Sequence, residues 1–402
     1  MATYKEQNKL NVPHLRFPEF QGEWCINTLG NLTDGIGDGI HATPIYDDNG
    51  SYYFINGNNL SESGINISAV TKRVSKEEAY KNNAAILNNR TILLSINGTI
   101  GNIALYNNEP IMLGKSACYI NVFPHINKHY VYHYLQTNKC QTYFVSELTG
   151  TTIKNLSLQS VRNTRIGLPL IKEQNRIAKL FDDIDERIAT QSKLIEDLKK
   201  LKSAIIENHY NRTEKQTASI ADLGEPFSVG NLAKDDLTET GMPCVVYGEL
   251  FTTYGETIFQ IESLTNKTTG MILSKKGDLL FPSSTTVDAM SLIAPSVINV
   301  DGVILGGDMF GIHINHNYNA QYLSYYFNHI AKRQLAKFAK GSTIIHLHYA
   351  DIEKAKLLLP SLEEQNRMAK FLMSLDAKIN IENILISLLN SQKIHLLRQM
   401  FI

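Results

Sequence analysis

Few residues of this 402-residue chain have the types and spacing of catalytic or ligand-binding groups. The run Gly35-Ile-Gly-Asp-Gly39 resembles a nucleotide- or S-adenosylmethionine-binding loop, but such a loop follows an apolar strand and opens a helix. Here the run continues into His41-Ala-Thr-Pro44. His125, His129 and His133 are spaced to share one helical face, yet no carboxylate accompanies them. We interpret the glycine run as a loop and the histidines as a surface or packed face.

The usual catalytic signatures are missing from the sequence. It contains no H-E-x-x-H, P-loop or G-x-S-x-G motif, no Asn/Asp-Pro-Pro-aromatic motif of amino-methyltransferases and no recognisable nuclease carboxylate–lysine cluster. Its four cysteines show no C-x-x-C spacing, which suits reduced thiols in the cytoplasm. No stretch approaches the roughly 18 apolar residues of a membrane helix. We predict a cytoplasmic chain without membrane contact, catalysis, metal or cofactor of its own.

Basic residues concentrate at two places, although the chain as a whole has 39 Lys+Arg against 39 Asp+Glu. Residues 148–169 include three basic side chains and no acidic one, and residues 331–350 include four and none. Residues 216–331, by contrast, hold four Lys against twelve acidic side chains. Lysines beside Gly-Ser/Thr turns suit contacts to phosphate groups. A solvated helix end before a turn is the alternative interpretation.

Both basic places belong to an internal repeat with an offset of 191 residues. Gly150-Thr-Thr-Ile153 recurs as Gly341-Ser-Thr-Ile344, and Glu173-Gln-Asn-Arg176 recurs as Glu364-Gln-Asn-Arg367. Aligning 150–206 with 341–397 without a gap gives 18 identities in 57 positions. The similarity is weaker upstream, so each half consists of a divergent front part and a shared tail. This pattern favours a common scaffold role for the tails and separate recognition roles for the front parts.

Each tail has the pattern of a long helix. A proline near the start is followed by acidic residues in the first turns, and no Gly or Pro interrupts 170–210 or 361–398. About 38 residues of helix would span about 57 Å. The apolar residues recur at steps of three and four and form one seam in each tail: Ile177, Phe181, Ile184, Ile188 and Leu198, then Leu372, Leu375, Ile379 and Leu389. We expect the helices to pair antiparallel; the alternative is that each packs only on its own domain.

The front parts are rich in short β-like runs broken by turns, with one helix-like stretch in each, Tyr130–Glu147 and Ala320–Ala339. The predicted fold is α+β: two mostly-β domains separated by two long helices that form an antiparallel coiled coil, with pseudo-two-fold symmetry from the duplication. The predicted segments are an N-terminal extension, a first domain, a central helix, a second domain and a C-terminal helix, at 1–20, 21–169, 170–215, 216–360 and 361–402.

The whole arrangement resembles the specificity subunit of type I restriction-modification enzymes. The resemblance rests on the tandem repeat, on the Leu-Pro-x-x-x-Glu-Gln-x-x-Ile/Met-Ala opening of each tail, and on three shorter motifs. These are Val12-Pro-His-Leu-Arg-Phe-Pro-Glu-Phe20, His41-Ala-Thr-Pro44 with Phe54-Ile-Asn-Gly57, and Val246-Tyr-Gly-Glu-Leu-Phe-Thr-Thr-Tyr254. The resemblance covers nearly the whole chain.

The resemblance implies that each front domain is a target-recognition domain for one half of a split site in double-stranded DNA. The helices would act as a spacer and as the docking surface for two methyltransferase subunits. Two restriction/translocase subunits would join them. S-adenosylmethionine, ATP and magnesium are expected in those partners, not in this chain. A self-contained DNA methyltransferase fragment and a coiled-coil scaffold that does not bind DNA are the competing hypotheses.

Specific residues follow from this interpretation. Base readout in the major groove needs polar loops, which favours the loops 36–46, 95–102 and 282–288 together with the basic repeat. The expected DNA contacts are His41, Thr43, Asn97, Thr99, Thr151, Lys154, Ser283, Ser284, Thr285, Lys340, Ser342 and His346. The resemblance implies that the methyltransferase subunits dock at Glu173, Gln174, Arg176, Glu364, Gln365 and Arg367.

Overall fold

The computed structural model describes residues 11–82, 84–150 and 154–402. The chain divides into two units, residues 1–193 with 383–402 (unit 1) and residues 194–382 (unit 2). These boundaries differ from the segments expected from the sequence, because each long helix contributes one part to either unit. The expected segment boundaries therefore remain a proposal about evolutionary modules rather than a description of packing.

The first front domain is built from short strands around buried apolar runs. The strands are β1 (Cys25–Thr28), β2 (Thr33–Asp38), β3 (Tyr52–Ile55), β4 (Leu60–Ser61), β5 (Gly64–Ile65), β6 (Arg73–Val74), β7 (Thr91–Ser95), β8 (Ile103–Leu105), β9 (Ile111–Leu113), β10 (Ala117–Val122) and β11 (Arg165–Leu168). The helices are α1 (Lys76–Asn82), α2 (Lys128–Leu135), α3 (Asn138–Ser146) and α4 (Leu158–Arg162).

The main sheet of this domain has the order β2-β10-β7-β8. Strand β7 is buried along its whole length, which explains its unbroken run of Ile and Leu. A second sheet, β6-β3-β9, contains a parallel pair, β3 with β9. Strands β1 and β11 pair antiparallel, so that the start of the domain is joined directly to the strand before the long helix.

The second front domain repeats this plan. Its strands are β12 (Gln216–Ser219), β13 (Gly224–Ser228), β14 (Leu237–Thr238), β15 (Met242–Val246), β16 (Thr257–Ile258), β17 (Ser263–Thr265), β18 (Ile272–Leu273), β19 (Asp278–Pro282), β20 (Ser284–Thr285), β21 (Ser296–Ile298), β22 (Ile304–Gly306), β23 (Met309–Ile314), β24 (Ile345–His346) and β25 (Lys356–Leu359). The long helix α5 (Ile171–Arg212) precedes this domain. The helices of the domain itself are α6 (Glu249–Thr252), α7 (Ala289–Leu292), α8 (Ala320–His329), α9 (Lys332–Leu335) and α10 (Tyr349–Ile352).

The sheets of the second domain have the orders β13-β23-β19-β21-β16 and β14-β17-β15-β22-β18. Strand β19 is buried throughout, like β7, and β12 pairs with β25 as β1 pairs with β11. The β15–β22 pair is parallel, like β3 with β9. The duplication inferred from the tails therefore extends to the front domains, where sequence similarity has almost disappeared.

The two long helices are α5 (Ile171–Arg212) and α11 (Leu362–Met400). In unit 1, Phe181 stacks near Phe401, with 5.7 Å between ring centroids, and Asp185 contacts Lys393. In unit 2, Lys202 contacts Asp376 and His209 contacts Glu364. In both units the residue numbers of these contacts increase along α5 as they decrease towards the start of α11. The expected antiparallel pairing is therefore confirmed.

The predicted seam residues are buried or half-buried. Those that are nearly inaccessible are Ile177, Phe181, Ile184, Leu372, Ile379 and Leu389, and the half-buried ones are Ile188, Leu198 and Leu375. In each unit the same helix turns also pack on the front domain, where their apolar side chains share one core with the tyrosine-rich helix α2 or α8. The two packing modes set against each other as alternatives from the sequence therefore occur together.

One expectation needs correction. The stretch Tyr130–Glu147 is two helices, α2 and α3, because Thr137 ends one and caps the next: its hydroxyl donates to the carbonyl of Tyr134 at 2.7 Å and accepts from the amide of Cys140 at 3.3 Å. The stretch Ala320–Ala339 is likewise divided into α8 and α9. No helix in the described part of the chain is both long and apolar enough to cross a membrane.

Candidate nucleic-acid interface

In unit 1 the two candidate recognition segments meet. Asn97, which follows β7, forms a bridge with Asn155, and so does Thr149. The amide of Leu156 donates to the carbonyl of Ile96 at 2.9 Å and extends this pairing into the core. Lys154 is exposed on the same loop. The segments thus form one surface although they are far apart in the sequence; Thr151 lies outside the described residues.

Unit 2 pairs the equivalent segments more regularly. Strands β20 and β24 place Ser284 opposite His346, and Thr285 opposite Ile345. The loop before β24 turns at Gly341, whose φ of 118° lies in the left-handed region. A Cβ at this position would approach the carbonyl oxygen of Ile344 to 2.0 Å, so only glycine fits the turn. Gly150, at the equivalent position of the repeat, also has a left-handed φ, of 89°.

Two of the residues predicted to contact DNA, Ser283 and Ser284, are almost buried in this structure. Ser283 is only 3% exposed; its amide donates to the carbonyl of Asp308 at 2.7 Å, and its own carbonyl accepts from Leu347 at 2.9 Å. Ser284 is 6% exposed. Both side chains are nearly inaccessible in this structure, and their contact with DNA stays a prediction.

The remaining predicted contacts differ in their freedom. Thr99 is on the surface, but its hydroxyl donates to the carbonyl of Gly57 at 2.9 Å. The Lys340 ammonium forms an ion pair with Asp351 and lowers the pKa of that carboxyl. Ser342 is exposed near it. His41 contacts Asp38 at 2.8 Å, and with the exposed Thr43 it occupies a separate loop after β2.

A cleft of about 850 Å³ opens beside the paired strands β20 and β24 of unit 2. This strand pair contributes Thr285 and His346, and the turn between β22 and β23 contributes Asp308. The Asp308 carboxylate lies 4.0 Å from Nδ1 of His346, and both side chains are a little under half exposed. Lys332, from α9, also lines the cleft. The cleft thus joins the predicted recognition loop to the basic segment.

The glutamines of the repeated Glu-Gln-Asn-Arg motif are buried and hydrogen-bonded within each unit. Nε2 of Gln174 donates to the Pro169 carbonyl at 2.8 Å, and its Oε1 accepts from the amide of Asn127 at 3.0 Å. Gln365 makes the same two bonds, at 2.9 and 3.0 Å, with Pro360 and Asn319. Each glutamine therefore joins the start of a long helix to the cap of α2 or α8.

Two asparagine pairs complete this arrangement. Nδ2 of Asn127 donates to Oδ1 of Asn175, and Nδ2 of Asn319 donates to Oδ1 of Asn366, both at 2.7 Å. We call each set, Gln174 with Asn127 and Asn175 in unit 1 and Gln365 with Asn319 and Asn366 in unit 2, the glutamine clasp. Neither Asn127 nor Asn319 was predicted from the sequence. Each directly precedes an aromatic-rich helix, α2 or α8, and lies a similar number of residues before the glutamine of its clasp.

The side chains of Glu173, Gln174 and Gln365 are at most 2% exposed, and docking at these positions stays a prediction. Glu173 forms a bidentate pair with Arg16, at 2.7 and 2.8 Å. Glu364 is half-buried between His209 and Arg367. The residues of this group that remain on the surface are Arg176 and Arg367.

The histidine group of α2 serves the packing of unit 1. Both His129, through Nδ1, and His133, through Nε2, contact Oδ1 of Asp182, at 2.9 and 2.8 Å. Burial alone would raise the pKa of Asp182, but these hydrogen bonds outweigh it and hold the pKa well below its ordinary value. Burial lowers the pKa of His133. In the described residues no group of His, Cys, Asp and Glu is arranged to hold a metal.

Two buried lysines were also missed. Lys393 contacts Asp185 at 2.7 Å in unit 1, and Lys202 contacts Asp376 at 2.6 Å in unit 2. Each lysine side chain is 7% exposed. Asp185 and Asp376 are repeat equivalents, as are Lys202 and Lys393, so each lysine pairs with the aspartate of the other copy. Both identities were visible in the aligned tails, but nothing in the sequence distinguished them from surface charges.

Lys202 has a second acidic partner, Glu256, at 3.0 Å. Burial raises the pKa of this carboxyl, but His329 and Lys202 reverse the effect and lower it to about 2. The Tyr325 hydroxyl donates to Asp376. Lys393, by comparison, has Glu62 at 3.8 Å as its further acidic neighbour, and Glu62 is 76% exposed.

Comparison with known proteins places this geometry in context. The model of the type I restriction modification DNA specificity domain matches residues 23–200 and 214–391. The type I restriction enzyme MjaVIII specificity subunit of Methanocaldococcus jannaschii is 24% identical, over 95% of this chain and 92% of that protein.

Two solved structures share the fold. One is the S subunit of a type I restriction-modification system from M. genitalium, with a TM-score of 0.61 and 17% identity, covering 97% of this chain and 99% of that one. The other comes from work on complex assembly and conformational transition of a type I system, with a TM-score of 0.55 and 15% identity, covering 96% and 98%.

Proposed function

The chain belongs to the type I restriction-modification DNA specificity family and is the DNA-recognition subunit of such a system, and we propose that each front domain reads one half of a bipartite site. The observation that carries this proposal is the recurrence of one surface in both units. In each, the loop after the buried central strand pairs with the glycine turn of the basic repeat. Polar side chains for base edges and lysines for phosphates are thereby placed together.

The partners complete the proposal. Two methyltransferase subunits that bind S-adenosylmethionine would dock on the long helices, and two restriction/translocase subunits that use ATP and magnesium would join them in the cytoplasm. This chain itself would be non-catalytic. Because the glutamines are internal, docking would use the exposed start of each helix instead. Exposed apolar side chains accompany the exposed arginine there: Leu170 and Ile171 beside Arg176, and Leu362 and Phe371 beside Arg367.

Methylation-sensitive sequencing of host DNA, with and without this chain, tests the proposal. The expected result is a motif of two short half-sites with a non-specific gap, which disappears when the chain is absent. Replacing residues 216–360 with the second domain of a related subunit should change one half-site and leave the other intact. A single continuous motif, or a change in both halves, would contradict the assignment of one half-site to each domain.

The length of the gap is a second, separable part of the proposal. Helix α5 runs for 42 residues without a break, about 63 Å. Inserting one heptad into α5 and one into α11 should lengthen the gap while both half-sites keep their sequence. An unchanged gap would show that the helices do not act as a spacer, without affecting the assignment of the half-sites.

A further inference from the structure

The cleft of unit 2 exposes a carboxylate, which a surface that bound only phosphate groups would not need. Asp308, one of two carboxylates that the described residues contribute to the cleft, lies in the turn after β22, which is held by the hydrogen bond from the Ser283 amide to the Asp308 carbonyl. A carboxylate would repel the DNA backbone but accepts hydrogen bonds from base amino groups. The nearby His346 ring, 4.0 Å away, leaves the carboxylate a little under half exposed. Asp308 is therefore available to a ligand that donates.

Apolar side chains on the same cleft are unusually exposed. Val287 is 72% exposed and Ile344 is 50% exposed, and both line it. In the major groove the apolar feature of a base edge is the methyl group of thymine, which aliphatic side chains contact. The cleft thus offers the Asp308 carboxylate as an acceptor together with two exposed side chains that carry methyl groups.

The basic residues around the cleft favour DNA as its occupant. Lys332 lines the cleft, and the exposed Arg333 and Lys337 follow it in the chain. Such residues bind phosphates on either side of a base-reading surface and fix its register. Glu256 also lines the cleft, but it is engaged with Lys202 and His329. Within the described part of the chain, Asp308 is therefore the carboxylate that lies among these basic residues without a close ion pair.

The first domain differs at this point. Aligning Leu113-Gly114 with Leu305-Gly306 places Ser116 where the second domain has Asp308. The Ser116 hydroxyl accepts from the amide of Gly57 at 2.8 Å and donates to Oδ1 of Asn56 at 3.1 Å. It is used within the domain, so the acceptor chemistry at this position belongs to the second domain alone.

We propose that Asp308 is a specificity-determining residue that reads cytosine in the half-site of the second domain, with Val287 and Ile344 contacting the methyl group of a neighbouring thymine. This inference rests on the proposed function. Cytosine presents its N4 amino group as a donor in the major groove, whereas adenine presents N7, an acceptor, beside its amino group. Guanine and thymine present acceptors, which a carboxylate repels.

The test compares methylation motifs in cells that carry the assembled complex with wild-type chain, Asp308→Asn, Asp308→Ala or the control Glu239→Gln. Glu239 is an exposed carboxylate of the same domain outside the residues that line the cleft. Asp308→Ala should relax one cytosine position of the second half-site. Asp308→Asn should shift that position towards adenine, since an amide pairs with adenine N6 and N7. The first half-site and the control should not change.

Binding measurements keep the inference testable where a variant abolishes methylation. The purified wild-type complex is measured on duplexes that carry each of the four bases, in turn, at each position of the second half-site. It should favour cytosine at one position by about tenfold to a hundredfold, and Asp308→Ala should remove this preference. No cytosine preference, or one that survives in Asp308→Ala, overturns the inference. A wild-type chain without any bipartite motif would instead overturn the proposed function.

Discussion

The two units share their clasps but not the surroundings of their buried lysines. The glutamine clasp has the same bonds in both units, within 0.1 Å. Lys202, in unit 2, lies between two carboxylates with the Tyr325 ring 4.8 Å away, whereas Lys393, in unit 1, has one close carboxylate. The two copies have therefore kept the junction between front domain and long helix, whereas the side chains around the buried lysine have diverged.

A similar contrast applies to the recognition surfaces. Both units pair a loop after the buried strand with the glycine turn, and the second unit places the Asp308 carboxylate beside the pair, at the position where the first domain has Ser116. Scaffold contacts made by main chain and short amides were retained, and the side chains that face outward changed. Variants at equivalent positions can therefore separate shared stability from individual specificity.

The largest expected difference comes from the buried lysines. Lys202→Met leaves Glu256 and Asp376 without their ammonium partner and should destabilise unit 2 by about 4 kcal/mol. Lys393→Met should destabilise unit 1 by less, because its second acidic neighbour is already solvated. Urea unfolding followed by hydrogen exchange in peptides of each unit measures both effects, with the exposed Lys199→Met as control. Equal losses in the two units would remove the distinction.

Acidification should affect unit 2 through Glu256, whose pKa falls from 4.5 to about 2 on folding. A carboxyl with a lowered pKa contributes stability that is complete above about pH 4.5 and is lost as the pH falls towards 2. The contribution is about 3 kcal/mol. Glu256→Gln should flatten the pH dependence of unit 2 in this window, as measured by urea unfolding across the range. The exposed Glu262→Gln should leave it unchanged.

The glutamine clasps should give equal effects in the two units. Gln174→Ala and Gln365→Ala each leave a buried amide and a carbonyl without their partner, at a cost of about 2 kcal/mol. Thermal unfolding and hydrogen exchange at α2 or α8 would measure the loss. Asn175→Ala and Asn366→Ala remove only a more exposed bond and should cost less. A large difference between the glutamine variants would show that the clasp is not a shared element.

The smallest difference concerns phosphate contacts. Lys154 is exposed, whereas the Lys340 ammonium is already paired with Asp351. Lys154→Ala should weaken DNA binding by the assembled complex several-fold, uniformly across sequences, and reduce the salt slope by about 1. Lys340→Ala should weaken DNA binding less than Lys154→Ala does. The double variant Lys340→Ala with Asp351→Asn should bind DNA as Lys340→Ala does. A stronger effect of Lys340→Ala than of Lys154→Ala would mean that DNA displaces Asp351.

The amino-acid sequence by itself determined the duplication, the two long helices and their seam, because these depend on local periodicity and on repeated residue types. It also indicated the loops 95–102 and 282–288, since polar residues after a buried strand are visible in one dimension. It identified the glycines at 150 and 341, and the structure shows at 341 that a side chain has no room.

What only the tertiary structure decided is which polar side chains are available. Ser283, Gln174 and Gln365 are polar residues of types that usually lie on the protein surface. Each is nevertheless buried by segments that are distant in the chain. Lys202 and Lys393 resemble ordinary helix-surface lysines until the opposite helix supplies an aspartate. Burial and hydrogen-bond partners depend on contacts between residues far apart in sequence, and spacing along one segment carries no information about them.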